Sequence, residues 1–271
     1  MLIGEKYDAL RKYLASLGSV AAAFSGGVDS TLLLKVAHDV LGDKAVAVTV
    51  SSPSIARREL REAEAFCAEN GIIQEVLNLN ELEIEGFADN PPNRCYLCKH
   101  AIFSKILETA RKRNLAHVVE GSNVDDLGDY RPGLKALQEL SIKSPLREAG
   151  LTKAEIRELS RELGLPTWEK PSYACLASRF VYGEKITPEK LLMVEHAEEL
   201  LRDLGFRQMR VRLHGTIARL EILPEEFSRI VQEEIRTKIY SSLKGLGFSY
   251  VTLDLRGYRT GSMNETLSRE G

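Results

Sequence analysis

The sequence predicts an α/β fold: a parallel sheet covered by helices over residues 1–180, followed by a smaller α+β domain over 181–271. Three observations carry this expectation. An apolar run, Val20-Ala21-Ala22-Ala23-Phe24, leads through Ser25-Gly26-Gly27-Val28-Asp29-Ser30 into Leu32, Leu33, Leu34 and Val36. That order reads as a buried strand, a glycine-rich turn and a helix packed on a sheet. Short apolar runs and charged helical stretches then alternate as far as Pro166, which implies parallel strands covered on both faces. Beyond residue 183 the texture changes to helix, two alternating strands, helix and strand.

Taken in order, the β-branched run at 45–50 is a second strand, and 54–70 a charged helix closed by Gly71. Residues 72–79 are a third strand, 99–114 a helix and 117–120 a fourth strand. Thr152-Lys153-Ala154-Glu155 fits a capping box and opens a helix that stops near Gly164 and Pro166. Residues 171–183 lack periodicity and read as a loop joining the two domains. Thr187-Pro188 starts a long helix ending at Gly205. In 207–214, Met209, Val211 and Leu213 face one way while Arg210, Arg212 and His214 face the other. Residues 217–223 alternate as well, with Arg219 and Glu221 on the polar face; 224–245 reads as one helix and 248–255 as the last strand.

The chain has 271 residues, 44% apolar and 28% charged, the proportions of an ordinary globular protein. Its apolar runs are shorter than a membrane span and no signal-peptide core opens it, so a cytoplasmic protein with no membrane association is expected. A net charge of −2 speaks against a broad nucleic-acid surface, a local basic patch aside. The four cysteines, in a reducing compartment, suit metal binding or reactivity better than disulfides.

The strand, glycine turn and helix N-terminus make an anion site, where backbone N–H groups converge and the helix dipole favours negative charge. Gly26 and Gly27 let the backbone approach the anion; Ser25 and Ser30 add hydroxyls; Asp29 suits a magnesium ion or a cap. Ligands of open parallel sheets sit beyond the carboxyl ends of strands. Ser51, in Thr49-Val50-Ser51-Ser52, ends the second strand, where the adenine and ribose of an adenylate would lie. Gly121, Asn123 and Asp126, in Gly121-Ser122-Asn123-Val124-Asp125-Asp126, end the fourth. Asp129-Tyr130-Arg131-Pro132-Gly133 follows as a compact turn.

Asn93-Arg94-Cys95-Tyr96-Leu97-Cys98-Lys99 carries one C-x-x-C, which fits half a zinc site, a redox pair or two ligands of an iron–sulfur cluster. Cys175 would complete a three-thiolate set that leaves one iron of a cubane open; two unconnected core thiols are the plain alternative. Cys67 lies on the apolar face of a helix and reads as core. Arg179 follows Cys175 closely enough for its cation to favour the thiolate. Arg210 and Arg212, two guanidiniums at i and i+2, make a fork for a phosphate or else a solvated face.

The SGGVDS stretch at 25–30 resembles the PP-loop, SGGxDS, of ATP pyrophosphatases, whose fold is the adenine nucleotide alpha hydrolase type. With NRCYLCK at 93–99, GSNVDD at 121–126, DYRPG at 129–133, PSYACLASRF at 171–180, RVRLHG at 210–215 and GYRTGSMN at 257–264, the chain resembles the LarE family over nearly its whole length. These are ATP-dependent sulfur transferases that build the nickel-pincer cofactor of lactate racemase. The resemblance implies ATP and Mg2+, with the loop at Ser25, Gly26, Gly27, Asp29 and Ser30 binding pyrophosphate and magnesium. It implies adenylation of the carboxylates of a nicotinate-derived mononucleotide, pyridinium-3,5-dicarboxylate mononucleotide, and their conversion to thiocarboxylates. Sulfur is expected at Cys175, in one of two ways: as sulfide on a 4Fe–4S cluster held by Cys95, Cys98 and Cys175, or from Cys175 itself, which is left as dehydroalanine. By their placement near Cys175, Ser178 and Arg179 are expected to orient the substrate or activate the thiol, and Arg210 and Arg212 are the candidates for the substrate phosphate. Glu198, Glu221, Arg256 and Arg259 are weaker candidates. A sulfide donor and self-association are expected too. Competing readings are a tRNA thiolase or amide-forming PP-loop enzyme, and a non-catalytic adenine-nucleotide sensor.

Overall fold

The computed structural model describes residues 2–128, 132–171, 174–259 and 261–263. The chain divides into two compact units: Met1–Asn80 with Cys95–Tyr173, and Glu81–Arg94 with Ala174–Gly271.

In the first unit, helix α1 (Ile3–Leu17) buries Leu10, Leu14 and Leu17, an i, i+4, i+7 stripe, and stops where Gly18 turns to φ 72. Strand β1 (Val20–Ala23) runs into α2 (Val28–Leu41), which is buried nearly all round at Leu32, Leu33, Leu34, Val36 and Ala37. Strand β2 (Ala45–Ser51) is followed by α3 (Arg57–Glu69) and the half-exposed edge strand β3 (Gln74–Asn78). Helix α4 (Arg94–Lys112) leads to β4 (His117–Val119), then α5 (Pro132–Glu139), α6 (Pro145–Glu148) and α7 (Lys153–Glu162). The sheet order is β3-β2-β1-β4, and every pair is parallel. Strand order therefore reverses at β1, between its neighbours β2 and β4. The carboxyl ends of β1 and β4 flank that switch point, the place where open parallel sheets bind ligands. The capping box is present: Thr152 Oγ1 accepts from Glu155 N at 3.3 Å, while the Thr152 amide donates to Glu155 Oε2 at 2.8 Å.

The structure corrects the sequence reading in places. Helix α4 begins at Arg94 rather than Lys99, so the C-x-x-C lies within its first two turns. Helix α3 begins three residues later than the charge pattern suggests, after the turn at Pro53. Helices α1, α5 and α6 were not expected. In the motif at 129–133, Pro132 and Gly133 open α5, while Asp129, Tyr130 and Arg131 lie outside the described residues, as do Ser172, Tyr173, Thr260 and Asn264 of the other motifs.

The second unit gathers residues 81–94 because Asn90, fully buried, stitches them to 181–186. Its side chain donates to Val181 O at 2.6 Å, its carbonyl accepts from Gly183 N at 2.9 Å, and Ile186 N donates to Ala88 O at 2.8 Å. A 3-10 turn (Leu176–Arg179) precedes α8 (Pro188–Asp203), capped by Thr187. Strands β5 (Met209–His214) and β6 (Ile217–Ile222) form an antiparallel hairpin. Helices α9 (Phe227–Ile230) and α10 (Glu233–Gly245) cross over to β7 (Tyr250–Leu253), which pairs parallel to β6. The stretch read as one helix over 224–245 is interrupted because Gln232 is extended, at ψ 137, as the N-cap of α10. The break puts Glu233 and Glu234 in a first turn, where the helix dipole favours them.

The polar core of this unit is an ion pair. Arg179 donates Nε to Glu198 Oε1 and Nη2 to Oε2, both at 2.8 Å, with only 1% and 5% of the two side chains exposed. Glu198 Oε1 also accepts from Val211 N at 3.0 Å, tying α8 and the 3-10 turn to β5. Burial alone would raise the Glu198 pKa. The charge and hydrogen bonds of Arg179, the charge of Arg210 and the Val211 amide outweigh it, so the carboxyl titrates below its ordinary range.

Two outcomes follow. Leu33→Ala should destabilise the first unit by about 2–5 kcal/mol, read as a lower denaturant midpoint at unchanged slope. The stability that Glu198 contributes should be complete above the ordinary carboxylate pKa of about 4.3 and should fade as pH falls through the lowered folded value. Acid unfolding followed by circular dichroism should lose that limb in Glu198→Gln; an unchanged limb would exclude the pair as its source.

Candidate functional site

In the first unit, Gly26 takes φ +69 with Ala63 packed 3.4 Å from where its Cβ would be. A residue with a side chain is strained in that backbone conformation. Gly27 is the N-cap of α2, and Thr31 N donates to Gly27 O at 2.9 Å as the first intrahelical bond. The amides of Val28, Asp29 and Ser30 therefore precede any intrahelical acceptor. Ser25 and Ser30 meet at 3.1 Å through their hydroxyls, and Ser30 Oγ also donates to Gly27 O at 3.1 Å. Gly121, just past β4, approaches this turn so closely that a Cβ there would lie 3.2 Å from Ser30 N and 3.3 Å from Asp29 Cβ. Gly26 thus makes the turn, and Gly121 keeps clear the space against Ser30 N that a side chain would enter. The donors of this cradle (amides, two hydroxyls, a helix N-terminus) suit an oligophosphate.

Asp29 stands beside that cradle. Its Oδ1 accepts from Asn123 Nδ2 at 3.1 Å and its Oδ2 from Lys153 Nζ. Asp126 Oδ2 in turn accepts from Asn123 N at 2.9 Å, and Asp125 Oδ2 from Lys153 N at 2.8 Å. Ser25, Gly26, Gly27, Asp29, Ser30, Gly121, Asn123 and Asp126 are thereby brought together around the ends of β1 and β4. Ser51 ends the adjacent β2, its carbonyl taken by Leu79 N at 3.0 Å. Two cations that the sequence reading left out reach the same loop: Lys153, at the start of α7, and Lys170, whose Nζ donates to Gly26 O at 2.9 Å. Lys153 was legible only as part of a capping box.

Cys95 is exposed and Cys98 partly so; one turn apart on α4, they share a helix face. Cys67 is buried, and burial pushes its thiol up to about 12, as fits a core cysteine. Among the described residues, no three His, Cys, Asp or Glu side chains gather as a metal site.

In the second unit, Cys175 is exposed at the N-cap of the 3-10 turn, so Ser178 and Arg179 stand one turn further on. Arg179 Nη1 donates to Ala174 O at 2.7 Å, Cys175 O at 3.1 Å and Ser178 Oγ at 2.9 Å. Arg212 donates Nε to Glu221 Oε2, Nη1 to Ser178 O and Nη2 to Ser262 Oγ, each at 3.0 Å. Arg210 lies over the Tyr258 ring at 5.1 Å and donates to Met209 O at 2.6 Å. Arg210 and Arg212, at 3% and 5% exposure, do not form the solvated face that alternation allowed; segments distant in sequence cover them. Burial, joined by the charge of Arg179, pulls both guanidinium pKa values below their ordinary range, against the opposing pull of Glu198 and Glu221. Next to them Arg219 and Arg259 share Asp254, and Arg219 also pairs with Glu221 at 3.1 Å. Among the described residues, Arg179, Arg210 and Arg212 are buried here with Glu198 and Glu221, and Arg219 and Arg259 stand partly exposed beside Asp254.

A family model described as NAD synthase matches residues 2–120, the part that carries the glycine loop and the parallel strands. A relative in Synechocystis sp., an uncharacterised protein, is 44% identical over 99% of this chain and 100% of its own length. The pyridinium-3,5-bisthiocarboxylic acid mononucleotide synthase of Lactiplantibacillus plantarum is 41% identical over 98% of this chain and 96% of its own length. A component of the glutamine-hydrolyzing GMP synthase of Thermoplasma acidophilum is 30% identical over 69% of the chain and 64% of its own length. With a PP-loop family model over its first part and a named thiocarboxylate synthase matching it over nearly the whole length of both chains, the chain belongs to the LarE family of ATP-dependent, PP-loop sulfurtransferases.

Proposed function

We propose that the protein adenylates the ring carboxylates of pyridinium-3,5-dicarboxylate mononucleotide and converts them to thiocarboxylates for the nickel-pincer cofactor of lactate racemase, with sulfur presented at Cys175. The observation that carries this reading is the cluster of three buried guanidiniums, Arg179, Arg210 and Arg212, at the turn that begins at Cys175. It suits a substrate bearing a phosphate and two carboxylates. A carboxylate is a poor electrophile; once it attacks the α-phosphorus of ATP, pyrophosphate leaves and AMP becomes the leaving group of an acyl adenylate. The cradle at Ser25–Ser30 holds the departing pyrophosphate through amides and hydroxyls, where the helix dipole stabilises its charge. Asp29 would hold Mg2+, which requires that Lys153 release that carboxylate; the freed ammonium can then face phosphate. Residues 1–180 serve activation in this reading, and 181–271 substrate binding and self-association, in the cytoplasm.

Cys95, Cys98 and Cys175 would hold a 4Fe–4S cluster, which would supply an open iron for sulfide provided by an external donor. The sharing of one α4 face by two accessible thiols favours this. The second reading needs Cys175 alone, and its exposure at the head of the turn favours it. The thiolate attacks the acyl adenylate and AMP leaves, giving a thioester. A base then takes the Cys175 α-proton as the Cβ–S bond breaks, so sulfur departs with the thiocarboxylate and dehydroalanine remains.

Cys175→Ala should abolish thiocarboxylate formation while pyrophosphate release persists; full sulfur transfer in that variant would remove both sulfur routes. Cys95→Ala separates them. Together with iron near four per chain in anaerobically purified protein, its inactivity would mark the cluster, whereas full activity and a mass loss of one hydrogen sulfide per turnover would mark sacrifice. Arg210→Gln should raise the KM for the mononucleotide about 10–100-fold, the worth of a charged hydrogen bond, and leave that for ATP within about twofold. An unchanged mononucleotide KM would move the phosphate elsewhere.

A further inference from the structure

Lys170 occupies an unusual position for a surface-loop residue. Only 11% of its side chain is exposed, and each of its three ammonium protons has an acceptor: Gly26 O at 2.9 Å, Glu59 at 2.7 Å and Glu62 at 2.8 Å. Its main chain is fixed as well. Arg157, from α7, donates to Trp168 O at 2.5 Å and to Lys170 O at 2.9 Å, and Lys170 N donates to Thr167 O at 2.9 Å. Pro171 follows, with its own φ locked. The residue whose ammonium grips the phosphate-loop carbonyl thus stands five positions before Cys175, at the fixed end of the segment that bears the thiol.

We propose that Lys170 is a positioning residue that couples occupancy of the glycine loop to the order of the segment carrying Cys175. The physical link is the peptide between Gly26 and Gly27. A cation on its carbonyl makes the Gly27 N–H a stronger donor, and an oligophosphate on that N–H makes the carbonyl a stronger acceptor. Hydrogen bonds joined through one peptide group strengthen each other by about 10–30%. ATP therefore tightens the grip on Lys170, and the Arg157 clamp passes that restraint to the backbone at Pro171. Lys170 also neutralises Glu59 and Glu62, two carboxylates held next to a loop built for an anion. Burial raises the Glu62 pKa, and hydrogen bonds from Arg58 and Lys170 more than offset that, so its carboxyl titrates below its ordinary range. A counter-charge alone would need no bond to Gly26 O and no clamp on Lys170's own carbonyl. The coupling, like the reading it deepens, concerns delivery at Cys175, but its test requires only nucleotide binding.

The test is amide exchange read by mass spectrometry, with and without Mg2+ and an ATP analogue carrying a methylene between the α and β phosphorus atoms. Calorimetry gives the affinity in parallel. In the wild type the analogue should slow exchange across residues 171–180 by about fivefold or more, and also at the start of α2. Lys170→Met should bind the analogue within about tenfold and protect α2, yet lose the protection of 171–180; Lys170→Arg should restore part of it. Arg157→Gln, which leaves the ammonium in place, should lose it as well, and it decides the matter if Lys170→Met does not fold. Protection of 171–180 that survives both substitutions, or that is absent from wild type with analogue bound, overturns the coupling. Parallel loss at α2 and 171–180 makes Lys170 a plain structural support and overturns it equally. A failed pyrophosphate assay with intact exchange coupling would instead count against the proposed substrate.

Discussion

The nucleotide end of this protein depends on a backbone constraint: β1 must end in a turn that aims the first amides of α2 outward instead of into the next hydrogen bond. Gly26 makes that turn at φ +69 against Ala63, and Gly121 keeps the adjacent β4 loop from filling the space beyond it. The switch in strand order at β1 decides where the turn opens, since β2 and β3 lie on one side of β1 and β4 on the other. Sheet topology thereby places Asn123 within hydrogen-bonding distance of Asp29, although 94 residues separate them.

Charge is handled in opposite ways in the two units. Around the glycine loop, lysines meet acids: Lys153 with Asp29, Lys170 with Glu59 and Glu62. The Lys153 pair is a point charge that a metal ion at Asp29 would replace, whereas Lys170 stays held by Glu59, Glu62 and Gly26 O. In the second unit, arginines dominate, and their planar forks are locked by carboxylates, carbonyls and hydroxyls. A locked guanidinium has little entropy left to lose on binding, so such a site suits recognition of a fixed anionic shape. The division matches the proposed chemistry, in which ATP is consumed while the mononucleotide is held still for sulfur insertion.

Local features were legible in the sequence, and features made by distant segments were not. The strand, glycine turn and helix at 20–36 read correctly because strand, turn and helix N-terminus are consecutive, and the capping box at Thr152 for the same reason. Helix α1 escaped notice although Leu10, Leu14, Leu17 and Gly18 carry a complete stripe and stop. The helix expected from Lys99 starts at Arg94 instead and so takes in the C-x-x-C, with Arg94 N donating to Pro91 O at 2.9 Å. Alternation placed Arg210 and Arg212 on one face of β5 but could not reveal that Ser178, Tyr258 and Ser262 would cover it. Lys153 and Lys170 reach the loop across 124 and 144 residues, a proximity that no periodicity or spacing encodes.

The central claim is that ATP energy is spent on a carboxylate oxygen before sulfur arrives. Substrate labelled with 18O in both carboxylates tests it most directly, by mass spectrometry of the nucleotide product. The account predicts AMP carrying one 18O atom for each thiocarboxylate formed. Unlabelled AMP, or ADP in its place, would contradict it.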